Sequence, residues 1–360
     1  MTFDDVLVII NGRNQRAVEN PNGKYPIYGS GGIMGYADSY ICEADTVVIG
    51  RKGSINNPIF VEEPFWNVDT AFGLAAKREI LLPRYLYYFC RNFDFERLNK
   101  AVTIPSLTKS DLLKIEITLP TLEIQEDVVN KLRKVEQIIQ ARKQQLQKLD
   151  ELVKARFVEM FGAYPLNPMG WKKGTIRDVV ADVRYGSSRP AVDGGKYPYL
   201  RMNNITYGGE LDLSDVKRID VPENELGKCT VRRGDVLFNR TNSKELVGKT
   251  CVYDRDEMMV LAGFVIRVRV NDLVLPEFLS AFLNTDFSKR TLLGMCKAAI
   301  GQANINAQEM QNIGIYIPPI ELQREFVQFK NQTDKSKAVI QKALDEAQLL
   351  FDSLMQKYFG

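Results

Sequence analysis

The stretch Pro120-Thr-Leu-Glu-Ile-Gln-Glu126 decides the architecture, because it returns later in the chain as Pro318-Pro-Ile-Glu-Leu-Gln-Arg324. The segments after the two copies run without a gap at an offset of 198 residues and close on Phe161-Gly162 and Phe359-Gly360. Self-similarity at a fixed offset indicates a repeated architecture. The 360 residues, enough for two or three domains, therefore divide into two halves.

Weaker matches extend the repeat upstream. They pair Leu82-Pro-Arg-Tyr-Leu86 with Leu275-Pro-Glu-Phe-Leu279, Val48-Ile-Gly-Arg-Lys-Gly-Ser54 with Leu237-Phe-Asn-Arg-Thr-Asn-Ser243, and Lys24-Tyr-Pro26 with Lys196-Tyr-Pro198. The offset drifts from 172 to 198, so the second half is longer. We predict globular parts at 1–120 and 163–317, and long spacer helices at 121–162 and 318–360.

Each half ends in a segment without glycine or proline, Glu123 to Phe161 and Glu321 to Phe359. Either segment would form one helix of about 58 Å. Apolar residues recur at an alternating 3-4 spacing, the pattern of a coiled-coil seam: Val128, Leu132, Val135, Ile139, Leu146, Leu149, Val153 and Met160, then Ile340, Leu344, Ala347, Phe351, Leu354 and Tyr358. Charged residues occupy other seam positions: Arg142, Arg156, Lys330 and Lys337.

A single such helix could equally pack on a globular core, but two matched seams favour mutual packing. The chain must return from the second globular part, so the helices should be antiparallel. The predicted fold is α+β: two similar mixed α/β domains at opposite ends of a long antiparallel coiled coil, related by a pseudo-twofold repeat.

The globular parts mix strands and helices. Apolar runs at 46–49, 236–238 and 260–270 predict strands, as do 114–119 and 313–317 just before the long helices. Residues 82–93 and 276–283 predict short helices that begin near a proline.

Composition excludes several classes of enzyme. The chain has no histidine, so imidazole bases and His-ligated zinc are impossible within it, and its five cysteines never form Cys-x-x-Cys and predict buried reduced thiols. Gly29-Ser-Gly-Gly-Ile-Met-Gly35 departs from the dinucleotide spacing, Ser243 stands where a phosphate loop ending in Gly248-Lys-Thr250 needs glycine, and no Asn-Pro-Pro-Tyr motif of amino-methyltransferases occurs. We expect no metal, no cofactor and no catalysis in this chain, and no membrane span, hence a cytoplasmic protein.

Loops of interleaved basic, amide and hydroxyl residues occur at matching places in both halves. They lie at 11–16, 25–32 and 51–57, and at 184–189, 199–204 and 239–244. Such side chains suit base edges and phosphates in a major groove. Any one polar loop is more simply a solvated surface, and the net charge of +3 does not announce nucleic acid, but recurrence favours function.

The chain resembles the specificity (S) subunit of type I restriction-modification systems. The resemblance covers nearly the whole chain through its order of globular part and long helix, repeated. Its motifs are the junctions Leu119-Pro-Thr-Leu-Glu-Ile-Gln125 and Ile317-Pro-Pro-Ile-Glu-Leu-Gln323, with Trp171-Lys-Lys-Gly-Thr-Ile-Arg-Asp178, Tyr197-Pro-Tyr-Leu-Arg-Met-Asn-Asn-Ile205 and Gly301-Gln-Ala-Asn-Ile-Asn306. The first half opens at Thr2-Phe-Asp-Asp-Val6 without a Trp-Lys lead-in, so its edge should be short or completed by residues 358–360.

The resemblance implies that each globular part is a target-recognition domain for one half of a bipartite site in double-stranded DNA, while the helices set the spacer. It implies docking of two methyltransferase (M) subunits, which bind S-adenosylmethionine and methylate adenine, and of two restriction (R) subunits, which use ATP and Mg. The alternatives are a coiled-coil protein scaffold without DNA specificity, slightly favoured by the near-neutral charge, and a fused enzyme, disfavoured by the absent motifs.

We hypothesise that fifteen residues touch DNA. They are Arg13, Asn14, Arg16, Ser30, Arg51, Lys52, Arg184, Ser188, Arg189, Arg201, Asn203, Asn204, Arg240, Asn242 and Lys244.

Overall fold

The computed structural model describes residues 1–99, 105–296 and 303–360. The chain divides into a first unit, Met1–Lys143 with Gln341–Gly360, and a second unit, Gln144–Ile340. Each unit holds one globular part and a segment of each long helix. No helix of the described residues has the length and apolar character of a membrane span.

The first unit contains a four-stranded antiparallel sheet of order β1-β7-β4-β5 and a three-stranded sheet of order β3-β2-β6, in which β2 and β6 are parallel. Its elements are α1 Phe3–Val6, β1 Leu7–Asn11, β2 Tyr25–Gly29, β3 Gly32–Ala37, β4 Thr46–Gly50, β5 Ile59–Val61, β6 Trp66–Asn67, β7 Ala71–Ala76, α2 Pro83–Asn92, a 3₁₀ turn Phe95–Leu98, α3 Lys109–Leu112 and the start of α4 Leu122–Phe161.

The second unit contains sheets of order β15-β13-β17-β9 and β11-β10-β16-β12 and two two-stranded pairs, β19-β8 and β14-β18. Its elements after α4 are β8 Lys172–Thr175, α5 Ile176–Val179, β9 Val180–Tyr185, β10 Tyr197–Leu200, a 3₁₀ turn Met202–Asn204, β11 Lys217–Ile219, α6 Glu223–Cys229, β12 Thr230–Val231, β13 Val236–Asn239, β14 Thr241–Asn242, β15 Thr250–Val252, β16 Met259–Leu261, β17 Val265–Val270, α7 Pro276–Leu283, α8 Asp286–Met295, β18 Ala303–Asn304, α9 Ala307–Gln311, β19 Gly314–Ile317 and α10 Ile320–Phe359.

The strand orders of the two units are the same in their shared parts. The order β1-β7-β4-β5 corresponds to β9-β17-β13-β15, and β3-β2-β6 corresponds to β11-β10-β16 with its parallel pair retained. The second unit adds β8, β12, β14, β18 and β19. The predicted internal repeat of two mixed α/β domains is therefore confirmed.

Both long helices span 40 residues, Leu122–Phe161 and Ile320–Phe359, and lie within the ranges predicted for them, 121–162 and 318–360. In the first unit the early seam residues of α4, Val128 to Ile139, share a buried core with Ala347, Phe351 and Met355 near the end of α10. In the second unit the ring of Phe157, late in α4, lies 5.3 Å from that of Phe326, early in α10. The start of each helix meets the end of the other, which confirms antiparallel packing.

Six further seam residues are half-buried: Leu146, Leu149, Val153 and Ile340 in the second unit, and Leu344 and Leu354 in the first. Lys337 interrupts the seam as expected and pairs with Asp150 of α4, at 2.6 Å, and with Glu210. The seam therefore continues through the second unit in a more polar form.

A buried glutamine anchors each long helix and explains the motif that marks the repeat. Gln125 and Gln323 are both fully buried, and their side-chain oxygens accept hydrogen bonds from the backbone N–H groups of Leu82, at 2.9 Å, and Leu275, at 2.8 Å. Each side-chain amide donates to two carbonyls, those of Ile80 and Pro120 or those of Leu273 and Pro318. One side chain thus ties the first turn of the long helix to the start of α2 or α7.

Two strand predictions were wrong. The run 260–270 forms two strands, because the chain turns at Ala262–Phe264, where the N–H of Val265 donates to Ala262 O at 2.9 Å. Residues 114–119 form only a bridge between Glu116 and Thr2. All four residues of β19 pair with residues of β8. In the first half, only Met1 and Thr2 take the place of β8 beside the corresponding segment, residues 114–119.

The C-terminal residues contribute to the first unit. The carbonyl of Phe359 accepts a hydrogen bond of 2.9 Å from the Asn92 side chain, and its ring lies 4.9 Å from that of Tyr85. Residues 358–360 therefore complete the surface of α2 rather than a strand edge.

Candidate nucleic-acid interface

Arg51 and Arg240 occupy the same backbone position in the two globular parts. Each follows a central strand, β4 or β13. The N–H of Arg51 donates to Thr70 O at 2.8 Å, and the N–H of Arg240 donates to Phe264 O at 3.0 Å. The alignment of 48–54 with 237–243 is thus confirmed by the backbone.

Each of these guanidinium groups lies over an aromatic ring. The Cζ atom of Arg51 is 5.7 Å from the ring centre of Phe72, and that of Arg240 is 4.8 Å from that of Tyr185. Phe72 pairs directly with Asn11, on β1, and Tyr185 pairs with Ile266, on β17. Phe72 lies on β7 and Tyr185 lies on β9, the strand that corresponds to β1. The two rings therefore come from opposite strands of the same strand pair, and each packs against its guanidinium and restricts the orientation of that group.

The loops at 11–16 and 184–189 are also anchored alike. The N–H of Gly12 donates to Ala71 O at 3.3 Å, and the N–H of Gly186 donates to Val265 O at 3.2 Å. A Cβ on Gly12 would lie 1.7 Å from a backbone oxygen, and one on Gly186 would lie 2.2 Å from another, so only glycine permits these close approaches.

In the first half, Ser30 lies in the β2–β3 turn beside the loop that carries Arg51. Its Cβ is 3.0 Å from where a Cβ on Gly50 would lie, and its hydroxyl is 4.0 Å from the equivalent point on Gly53. The backbone of Arg13 is anchored by Trp66, because the Arg13 carbonyl accepts a hydrogen bond of 3.0 Å from the indole N–H. The structure therefore brings Ser30, Arg51 and Lys52 together at one edge.

Arg16 and Asn14 form a separate local turn in the same loop as Arg13. The Asn14 side-chain oxygen accepts a hydrogen bond of 3.0 Å from the N–H of Arg16. Both side chains are exposed.

In the second half, five predicted residues line one cleft of about 520 Å³: Ser188, Arg189, Arg201, Asn203 and Arg240. The cleft also contains residues that were not predicted from the sequence, among them Met202 and Phe264, and Phe264 is 52% exposed. The signal for Phe264 was the Gly263-Phe264 turn, hidden inside a run interpreted as one strand. Arg184 and Lys244 do not line this cleft.

Three of the four predicted arginines of the second half form salt bridges with carboxylates. Arg184 pairs with Asp182 at 2.9 Å, Arg189 with Glu225 at 2.8 Å, and Arg201 with Asp215 at 2.7 Å. The hydrogen bond from Arg189 lowers the pKa of Glu225, which therefore stays ionised.

The predicted contact cations of the first half lack such partners among the described residues. Arg13, Arg16, Arg51 and Lys52 form no salt bridge with a carboxylate of residues 1–99, 105–296 and 303–360. Arg240 and Lys244 of the second half are alike in this respect.

Two predicted amides are used within the protein. Asn204 is only 2% exposed, and its side chain accepts from the N–H of Arg201 at 2.8 Å and donates to the carbonyls of Asp212 and Asp215. Asn242 lies on β14, where its side-chain oxygen accepts from the N–H of Ser243 at 2.9 Å. In this arrangement Asn204 builds its loop. Within the motif at 301–306, Gly301 and Gln302 lie outside the described residues.

The thiols fit structural roles. All five cysteines are buried and unpaired, and burial raises the pKa of Cys42 and Cys251 to about 12. Such thiols stay protonated and unreactive near neutral pH, as predicted. The described part of the chain brings together no group of three or more His, Cys, Asp or Glu residues suited to a metal ion.

The sequence matches known proteins along most of its length. The family model for the type I restriction modification DNA specificity domain matches residues 1–151 and 168–348. The specificity subunit of the type I restriction enzyme EcoKI from Escherichia coli strain K12 is 21% identical over 328 residues, which are 85% of this chain and 70% of that protein. The EcoBI specificity subunit from Escherichia coli is 20% identical over 372 residues, 94% and 77% of the two chains.

The fold is also found among solved structures. The type I restriction-modification S subunit from M. genitalium superposes with a TM-score of 0.61 at 16% identity and covers 100% of this chain and 95% of its own. The family model spans both globular parts and most of both helices. The chain belongs to the family of type I restriction-modification DNA specificity subunits, non-catalytic components that recognise DNA sequence and assemble with other subunits.

Proposed function

We propose that the two globular parts each read one half of a bipartite DNA site. The observation that carries this proposal is the equivalence of Arg51 and Arg240, which share their backbone anchoring and their aromatic support although the surrounding loops differ. An arginine fixed on a ring presents a rigid fork, the geometry that suits guanine O6 and N7.

The other predicted contacts divide by surroundings. Arg13, Arg16 and Lys52 are exposed and form no salt bridge with the described carboxylates, so they suit phosphates, which need charge rather than a fixed angle. Ser188 and Asn203 lie in the same cleft as Arg240 and suit base edges. Asn14, Ser30, Arg184, Arg189, Arg201, Asn204, Asn242 and Lys244 remain proposed contacts.

The helices at 121–162 and 318–360 serve as spacer and docking site between recognition domains at 1–120 and 163–317. Forty residues extend about 60 Å, a little under two turns of B-DNA. Two readers fixed at that separation could engage the same face of a duplex.

The proposed complex contains two M subunits, which supply S-adenosylmethionine and adenine methylation, and two R subunits, which supply ATP- and Mg-dependent cleavage in the cytoplasm. A scaffold without DNA specificity is disfavoured, because family membership points to DNA recognition.

Methylome sequencing of cells with and without this chain tests the proposal. We expect a two-part adenine-methylated motif that disappears when the gene is deleted and returns when it is restored. A methylome that is unchanged by deletion would refute the proposal.

The spacer can be tested separately by inserting four residues at Gln144. The insertion adds about 6 Å of helix, so the unread spacer should lengthen by about one or two base pairs while both half-sites stay the same. Motif spacing in the methylome measures this. An unchanged spacing would show that the helices do not set it.

A further inference from the structure

The β2–β3 hairpin of the first unit presents two adjacent apolar side chains to solvent. Ile33 is 54% exposed and Met34 is 62% exposed. They follow the glycine-rich turn at Ser30. Adjacent exposed apolar side chains beside a polar loop are typical of a contact surface.

A bulge fixes the direction of these side chains. Ile27 pairs with Gly35 and Tyr28 with Ile33, so Met34 is the extra residue on β3. Bulges re-aim a side chain and recur near functional sites. The Met34 sulfur lies 2.5 Å from where a Cβ on Gly29 would stand, so Gly29 is what admits it.

The hairpin tip lies beside cations that form no salt bridge within the described ranges. Ser30 is packed against the loop of Arg51 and Lys52, as its 3.0 Å approach to the Cβ position on Gly50 shows. This surrounding charge favours a polyanion over an apolar protein surface as the occupant.

We propose that the hairpin enters the major groove of the first half-site and that Ile33 and Met34 contact the C5-methyl group of thymine. The groove admits a two-stranded ribbon, and the thymine methyl is the apolar group that a standard base pair displays there. This inference rests on the proposed function, since it assumes that the first globular part reads DNA.

The corresponding connection of the second unit, residues 201–216, has no such pair of adjacent apolar residues. Strand β10 ends at Leu200 and β11 begins at Lys217. The connection between them contains Arg201 and Asn203 in place of adjacent apolar residues. The proposed contact of Ile33 and Met34 is therefore a feature of the first half-site that the β10–β11 connection does not repeat.

The test measures binding of the full chain, assembled with its M subunits, to duplexes that carry the methylated motif. In one duplex the thymines of the first half-site are replaced by deoxyuridine, which lacks only the methyl group. We expect about fourfold weaker binding for each contacted methyl, the factor for one buried methylene-sized group. Deoxyuridine in the second half-site should change binding of the wild-type chain and of a variant altered at Ile33 and Met34 by the same factor.

The I33A/M34A double variant supplies the second arm. It should bind the thymine and deoxyuridine duplexes equally, whereas the control V8A, which removes a 53%-exposed apolar side chain from β1, should keep the wild-type discrimination. The wild-type arm needs no variant, so misfolding cannot obscure it.

Three outcomes would overturn the inference: a first half-site without thymine, equal wild-type binding to both duplexes, or an equal loss on both duplexes in I33A/M34A with discrimination retained. The last outcome would mean that Ile33 and Met34 insert between base pairs or contact another subunit, and do not contact the thymine methyl group. Failure of the wild-type complex to bind the motif at all would instead refute the proposed function.

Discussion

The two globular parts share a scaffold and differ in how they handle charge. On β17 of the second part, Arg267 is 2% exposed and pairs with Asp182 at 2.8 Å, while Arg269 pairs with Asp235 at 2.8 Å. The corresponding positions of β7 are glycine and alanine, Gly73 and Ala75. The same strand order thus accommodates buried ion pairs in the second part and small residues in the first. The fold therefore depends on strand order and on the helix anchors rather than on these side chains.

The recognition loops show the same contrast. Arg189 and Arg201 are held by Glu225 and Asp215, whereas Arg13 and Arg51 form no salt bridge in the described ranges. A carboxylate that holds an arginine fixes its direction but must be outcompeted by DNA. The first part should therefore depend more on phosphate attraction, and the second more on pre-set geometry.

The shared anchors should produce the largest effect. Gln125→Leu and Gln323→Leu each remove three hydrogen bonds and leave buried backbone groups unpaired, so each should cost about 3 kcal/mol in its own unit. Thermal unfolding measures this, with the exposed Gln328→Leu as control.

The two losses should be similar, because the two networks match bond for bond. A large cost in one variant and none in the other would show that the two helix starts are not equivalent.

The seam should respond unequally. Ile139 is 6% exposed, and the 198-residue offset places Lys337 at the same position. Ile139→Lys buries an unpaired charge and should cost about 3 kcal/mol of unfolding free energy, whereas Lys337→Ile should change it by about 1 kcal/mol or less. The small second effect follows because Asp150 and Glu210 are half exposed and remain solvated.

Ile138→Lys is the matched control for this pair, since Ile138 is 47% exposed. Denaturant unfolding separates the cases. If Ile139→Lys cost no more than Ile138→Lys, the packed seam would be wrong.

The paired arginines should give the next effect, in DNA binding. Arg51→Ala and Arg240→Ala should each cost about 1 to 3 kcal/mol, confined to one half-site if the side chain reads a base. If it binds phosphate, the loss is uniform across sequences and the salt slope falls by about 1. Titration of wild-type and variant complexes with duplexes altered in either half-site distinguishes the two.

Arg78→Ala serves as control, because Arg78 is exposed and pairs with Asp45 outside these loops. Unchanged binding in both Arg51→Ala and Arg240→Ala would remove those residues from the interface.

The sequence was sufficient for what depends on local spacing. The 3-4 pattern predicted both long helices and their seam, and the repeated Glu-x-Gln motif marked their starts. The partners of Gln125 could not be inferred, because the carbonyl of Ile80 lies 45 residues away in the chain.

The site was predicted less well for the same reason. The loops were found, but the commitment of Asn204 depends on Asp212 and Asp215, and the rings beneath Arg51 and Arg240 come from strands distant in sequence. A single polar residue type cannot reveal whether its partner is DNA or another loop. The break at Gly263 was visible as a glycine within an apolar run, and it was outweighed by the β-branched residues around it.

Exchange of residues 171–317 for the equivalent part of another specificity subunit, followed by methylome sequencing, tests the claim of two independent readers most directly. We predict that one half of the methylated motif changes while the other half and the spacer are retained. A change in both halves together, or a motif without two parts, would contradict it.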